Sequence, residues 1–129
     1  MTILERPAAT HYRWEDIPLE QLSPTIARKF VSAEKLMIAQ VFLKKGADVP
    51  RHCHVNEQIT FISSGALQFW IGEDEQQQVI VRAGELLVIP SNVLHRAYAV
   101  EDTLDIDIFN PPREDWISGT DSYLRQEKA

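Results

Sequence analysis

The chain reads as an all-β protein, two antiparallel sheets closed into a sandwich or barrel. Runs rich in β-branched and aromatic residues recur about every ten positions, turn residues separate them, and helical patterns are confined to the two ends. The expected strands are Ile26–Val31, Leu36–Leu43, Glu57–Ile62, Leu67–Ile71, Val79–Arg82, Leu86–Ile89, His95–Val100 and Leu104–Phe109. Between them lie turns at Lys45-Gly46, Ser63-Ser64-Gly65, Gly72-Glu-Asp-Glu, Ala83-Gly84, Pro90-Ser-Asn92 and Glu101-Asp102, rich in residues that tolerate positive φ or hydrogen-bond their own backbone. Trp14–Leu22 has room for one helical turn. Pro112-Arg-Glu-Asp-Trp116 has the proline and the acids of a helix start.

At 129 residues and 14.8 kDa the chain is expected to be a single domain spanning 1–129, with a core that needs no staples. Its 44% hydrophobic and 25% charged residues are those of a soluble globular protein, and no apolar run approaches the roughly 20 residues of a membrane span. The start, Met1-Thr-Ile-Leu-Glu-Arg-Pro, lacks the basic and apolar blocks of a secretory signal, so a cytoplasmic protein is expected. A net charge of -6 and the absence of any Lys/Arg cluster argue against nucleic acid as a partner. The lone cysteine, Cys53, excludes an internal disulfide; it points away from its neighbouring histidines and is expected to pack.

Two Gly-led blocks carry three of the four histidines: Gly46-Ala-Asp-Val-Pro-Arg-His52-Cys-His54-Val-Asn-Glu-Gln58, and Gly84-Glu-Leu-Leu-Val-Ile-Pro90-Ser-Asn92-Val-Leu-His95. On a strand, His52 and His54 leave the same face, as two ligands of one ion must. A metal site is the first reading. The alternative is a metal-free barrel in which the histidines only pack and hydrogen-bond.

These blocks resemble the two motifs of the cupin superfamily. The first is similar to its Gly, five residues, His-x-His, then a ligand and six residues to a Gly, here Gly65; the second is similar to Gly, five residues, Pro-x-Gly, two residues, His. The resemblance implies a double-stranded β-helix, or jelly-roll barrel. Its core would be about residues 25–110, with an N-terminal arm 1–24, a C-terminal flap 111–129 and short helical or irregular ends. Gln58 takes the place where most metal-binding cupins carry Glu; it keeps the parity of the histidines, and Glu57 falls on the other face. Asn92 replaces a Gly, and Asn is the next-best residue in a left-handed turn. Ala99 stands where a final Asn is common.

The implied ligand set is His52, His54, Gln58 and His95 around one divalent transition metal ion, with Zn, Ni, Fe and Mn left open. All four ligands are neutral, so a bound ion keeps its charge and attracts an anion.

Strict alternation in Leu104-Asp-Ile-Asp107-Ile-Phe109 gives one apolar and one acidic face. On periodicity alone this is an edge strand with solvated acids. The stretch also resembles the pectin-degradation cupins that linearise unsaturated uronates, in which Asp-x-Phe followed four residues later by Arg lines the pocket, and in which a His-x-His-x-x-Glu-Gln block is similarly found. That resemblance makes Asp107 the general acid/base, Phe109 an apolar wall for the sugar ring, and Arg113 a bidentate partner of the substrate carboxylate. The implied reaction opens a 4,5-unsaturated galacturonate to 5-keto-4-deoxyuronate, in pectin or alginate catabolism.

Two other function classes stay open: an Fe(II)-dependent dioxygenase or lyase on another small organic acid, and a non-enzymatic sensor or binding cupin. His11 is expected to be exposed or packed. Trp70, Phe61 and Phe69 are expected as core or dimer contacts, and Trp116 as a barrel-end closure or tail anchor. A symmetric homodimer is expected, formed near Ile26–Val31 where a bare strand edge would need covering.

Overall fold

The structure, a computed structural model, describes residues 8–125. The Met1–Pro7 stretch read for a secretory signal, and the last four residues of the expected flap, lie outside the described residues.

Ten strands form two antiparallel sheets. They are β1 (Glu20–Gln21), β2 (Ile26–Ser32), β3 (Met37–Leu43), β4 (Asp48–His52), β5 (Glu57–Ser64), β6 (Ala66–Ile71), β7 (Gln77–Arg82), β8 (Leu86–Ile89), β9 (His95–Ala99) and β10 (Thr103–Asn110). One sheet runs β1-β2-β3-β10-β5-β8 and the other β4-β9-β6-β7. Met37, Ala39, Val41, Ile62, Leu67, Phe69, Ile89 and Phe109 from the two inner faces fill the core. The alternation visible in β3 and β5 directs them there, because successive side chains of a strand leave opposite faces.

The single helical turn expected within Trp14–Leu22 is a 3-10 turn at Trp14–Asp16, and Glu20–Gln21 beyond it pair with β2. Three expectations need correction. Asp48–His52 is a strand the periodicity missed, since Pro50 breaks its pattern; His52 ends it and His54 lies just beyond it. Strand β10 is no edge: it lies between β3 and β5, and its acidic face points inward. Cys53 is exposed, because it points out of the barrel where His52 and His54 point in.

The C-terminal segment closes one end of the barrel. Helix α1 (Glu114–Ser118) follows Arg113 and ends at Gly119, whose φ of 75° supplies the left-handed cap. Trp116 is buried against Phe109 and Phe30, so it is a barrel-end closure. A 3-10 turn at Ser122–Leu124 then seats Leu124 in the core. Fully buried Arg28 anchors this segment: it bonds Asp121 at 2.5 Å and Glu20 at 2.9 Å, and its guanidinium lies 4.2 Å from the Trp116 ring centroid.

Gly65 joins β5 to β6 at φ 89°, and a Cβ there would lie 2.7 Å from Thr103 Cα and 2.5 Å from its Oγ1. That hydroxyl accepts the Ala66 N–H at 3.1 Å, so it has little freedom to retreat. Gly65→Ala is expected to cost about 2 kcal/mol or more, read as a lower urea midpoint at unchanged denaturant slope. A wild-type midpoint would overturn this account of the turn.

Candidate metal centre

The three motif histidines meet at the barrel mouth. One imidazole nitrogen from each of His52, His54 and His95 lies within 4.8 Å of the other two. His52 and His95 sit opposite each other on β4 and β9, with ring centroids 4.3 Å apart. The chain beyond β4 carries His54 to the same side, and the second block holds it there: the N–H of Asn92, at φ 65°, donates to the His54 carbonyl at 2.8 Å.

Each ring is oriented by its own backbone. Nδ1 of His52 meets the Pro50 carbonyl at 2.8 Å, Nδ1 of His54 that of Asn56 at 2.9 Å, and Nδ1 of His95 that of Val93 at 2.9 Å. A carbonyl only accepts, so Nδ1 is the protonated nitrogen in all three and Nε2 keeps a free lone pair. Nε2 of His54 is buried with no partner among the described residues. Burial, then the nearby His95, pushes His52 down to about 3. Burial and the Arg113 charge push His54 down to about 4, and burial lowers His95. Three neutral imidazoles with convergent lone pairs fit a divalent transition metal ion.

Gln58 projects from β5 into the cavity that His52 and His95 line, while Glu57 beside it is exposed. The Gln58 amide nitrogen donates to Thr60 Oγ1 at 2.9 Å and to Asp107 Oδ1 at 3.4 Å. Its carbonyl oxygen is the atom left for a cation.

Asp107, Phe109 and Arg113 line the same cavity. Asp107 accepts the Thr60 hydroxyl at 2.7 Å, and Asp105 lies two residues along the same buried face. Burial raises Asp107, and burial reinforced by Asp107 holds Asp105 well above the usual carboxylate range. Phe109 is buried edge-on to His54, 5.8 Å between centroids, and lines the cavity.

Arg113 departs from the expected bidentate partner of a substrate. Its fork is filled by Asp115, Nε to Oδ1 at 2.9 Å and Nη2 to Oδ2 at 2.8 Å, and Nη2 also donates to the Tyr123 hydroxyl at 2.6 Å. Only Nη1 makes no hydrogen bond among the described residues. Asn56 holds the turn that carries Arg113 by donating to the carbonyls of Pro111 and Pro112, the latter at 3.2 Å.

Three contributors were missed in the sequence. Tyr123 stacks on His52 at 4.2 Å between centroids and caps the cavity, a contact no spacing rule announces. Thr60 and Asp105 were detectable, because they share the inward parity of Gln58 and Asp107 on their strands. His11 is exposed; Trp70 lies outside the barrel under Arg96, Phe69 is core, and Phe61 is on the outer surface.

The raised Asp105 fixes the sign of a pH effect. Its contribution is complete below the unfolded value of 3.8 and is lost as pH rises through the folded value. Asp105→Asn removes that loss. Its stability gain over wild type, measured by urea unfolding without metal, is expected to be larger at about pH 8 than at about pH 5; a gain independent of pH would contradict the assignment.

The family model described as "Cupin domain" matches residues 39–109, more than half of the chain. Among solved structures, KdgF from Halomonas sp. is similar with a TM-score of 0.77 and 27% identity, over 84% of this chain and 99% of that one. An RmlC-like cupin from Shewanella frigidimarina has a TM-score of 0.76 and 24% identity, over 84% and 96%. A variant of oxalate decarboxylase from Bacillus subtilis has a TM-score of 0.69 and 19% identity, over 83% of this chain and 31% of that one. No curated protein sequence matches. With both histidine blocks at the mouth of a two-sheet barrel, and a family match through its central strands, the chain belongs to the cupin family.

Proposed function

We propose that this cupin is a metal-dependent enzyme acting on a small anionic sugar acid, and that it linearises 4,5-unsaturated galacturonate to 5-keto-4-deoxyuronate in pectin or alginate catabolism. The observation that carries the reading is one cavity shared by a neutral histidine cluster, a buried carboxyl pair and an arginine. Support also comes from the Asp107, Phe109, Arg113 spacing and from the likeness to KdgF. A dioxygenase, a lyase or a sensor would use the histidines equally well, but would leave the placement of Asp107 beside Arg113 without a role.

His52, His54, His95 and the Gln58 carbonyl would hold the ion. When bound, it supplies Lewis acidity to a substrate oxygen. Arg113 binds the substrate carboxylate through Nη1, its fork remaining on Asp115. Phe109 excludes water from one face of the ring.

Linearisation is redox-neutral. One proton leaves the anomeric hydroxyl, one arrives at C4 of the enol ether, and the bond from C1 to the ring oxygen breaks as the C5 ketone forms. Asp107 is the group that moves the proton, and Thr60 and Gln58 hold its carboxyl in place meanwhile. The cavity measures about 50 Å³, and Tyr123, stacked on His52, bounds one side of it.

Metal analysis after incubation with Zn, Ni or Mn is expected to find about one ion per chain in the wild type, and much less in His52→Ala; a wild type that stays metal-free would remove the metal site. Loaded protein should speed the loss of the ultraviolet absorbance of unsaturated galacturonate above its spontaneous rate. Asp107→Asn should lower that rate about 100-fold or more at unchanged metal content. A near-wild-type rate would take Asp107 out of the reaction. Gln58→Glu should retain or tighten the ion while slowing turnover, because the new ligand brings a negative charge.

A further inference from the structure

Tyr123 reaches the cavity from the C-terminal segment, its ring stacked on His52. Its hydroxyl oxygen receives two hydrogen bonds, from Arg113 Nη2 at 2.6 Å and from Trp116 Nε1 at 3.4 Å. Both partners are N–H donors, so toward them the phenol only accepts, and at neutral pH it keeps a proton of its own. That proton has no acceptor among the described residues.

The hydrogen bonds of Arg113 define where this donor stands. A guanidinium grips a carboxylate along either of two edges, a side edge made by Nε with one Nη and an end edge made by the two Nη atoms. Asp115 fills the side edge through Nε and Nη2. The second N–H of Nη2 therefore lies on the end edge, and Tyr123 accepts it there. Nη1 shares that end edge and makes no hydrogen bond among the described residues, so its N–H and the Tyr123 O–H are neighbouring unused donors. Asp115 is 36% exposed and Arg113 only 2%, which puts the filled edge on the solvent side; Arg113 and Tyr123 both line the cavity.

From this arrangement we infer that Tyr123 is a ligand-binding residue, whose O–H joins Arg113 Nη1 in a composite fork that takes the two oxygens of one carboxylate. The inference rests on the reading of the cavity as a site for an anionic sugar acid, and it supplies the donor for the second carboxylate oxygen. Asp115 holds the guanidinium, while the His52 ring and the Trp116 N–H hold the phenol, so both donors are ordered before a ligand arrives. Selectivity follows from the count of donors. The hydroxymethyl group of a neutral sugar offers one oxygen and would leave one donor of the fork unpaired, a cost that a carboxylate avoids.

The test is calorimetric titration of the full-length, metal-loaded protein with D-galacturonate, which lacks the reactive double bond, and with D-galactose, its neutral counterpart. The wild type is expected to prefer galacturonate. Tyr123→Phe removes the donor and keeps the ring on His52, where it still covers Nη2 and prevents the arginine from offering that N–H instead. It is expected to bind galacturonate about tenfold more weakly, with galactose binding, circular dichroism and metal content unchanged. Tyr98→Phe, on the outer face of the other sheet, should match the wild type. In turnover of unsaturated galacturonate, Tyr123→Phe should raise KM and leave kcat close to wild type, because the contact is made equally in ground and transition states. A wild type that prefers galacturonate without linearising the unsaturated sugar would remove the reaction and leave the fork standing. A wild type indifferent to the carboxylate, or a folded Tyr123→Phe that binds galacturonate as tightly as the wild type or more tightly, would overturn the inference. If Tyr123→Phe fails to fold, fluorotyrosine-labelled wild type reads the same contact: of its three tyrosines, Tyr12 and Tyr98 are exposed, and the Tyr123 resonance should shift with galacturonate and not with galactose. Equal shifts with both sugars would overturn the fork.

Discussion

Three hydrogen bonds from imidazole Nδ1 to nearby backbone carbonyls organise the rest of the site. Pro50 and Val93 precede their histidines by two residues, and Asn56 follows His54 by two, so each ring is tied to its own stretch of chain. The tie selects a tautomer, and the tautomer turns three lone pairs to one point. Burial then keeps the rings neutral, since a proton on any of them would sit in the barrel beside the Arg113 charge. Ligands arranged in this way before any ion arrives avoid the ordering cost of gathering flexible side chains.

The same interior accommodates groups that ought to be unstable there. Asp105 and Asp107 are enclosed on one face of β10, and two carboxylates that close cannot both hold a charge at low cost. Thr60 and Gln58 donate to Asp107, whereas Asp105 Oδ1 is buried without a partner among the described residues, so Asp105 is the carboxyl that more strongly favours the neutral form. The C-terminal segment supplies the enclosure. Its hold is the Arg28–Asp121 pair, which places Tyr123 over His52 and within reach of Arg113. The environment that raises the carboxyls and lowers the imidazoles therefore depends on a short, ion-paired segment as well as on the sheets.

Legibility in the sequence followed the range of the interactions. Alternation exposed most strands to within two residues, and the His52, His54 and His95 cluster was visible because two motifs carry it, with Gln58 added by parity on its strand. Asp107 was harder. Its strand alternates equally well as a solvated edge or an interior strand, and only pairing with both β3 and β5 decides between them. Strand β4 escaped because Pro50 and the charged Asp48 and Arg51 obscure a period of two. Tyr123, Arg28 and Asp121 were out of reach altogether. The buried ion pair joins residues 93 positions apart, and no local pattern marks a surface-type residue that a distant one will bury.

Arg113 shows how the site stays balanced. Its fork is spent on Asp115, so the guanidinium enters the cavity already paired and costs less to bury than a free charge would. Neutral imidazoles, a neutral amide and a carboxyl pair whose burial disfavours charge, Asp105 above all, add little compensating negative charge around it. A cation among the histidines would leave the cavity electron-poor on two sides, at the metal and at Nη1. A ligand that carries a carboxylate and a second oxygen a short distance away would bridge both and neutralise each. On this argument anion recognition would belong to the cavity as a whole, since Asp115 already holds the fork of Arg113 and leaves Nη1 turned to the cavity side of the pair.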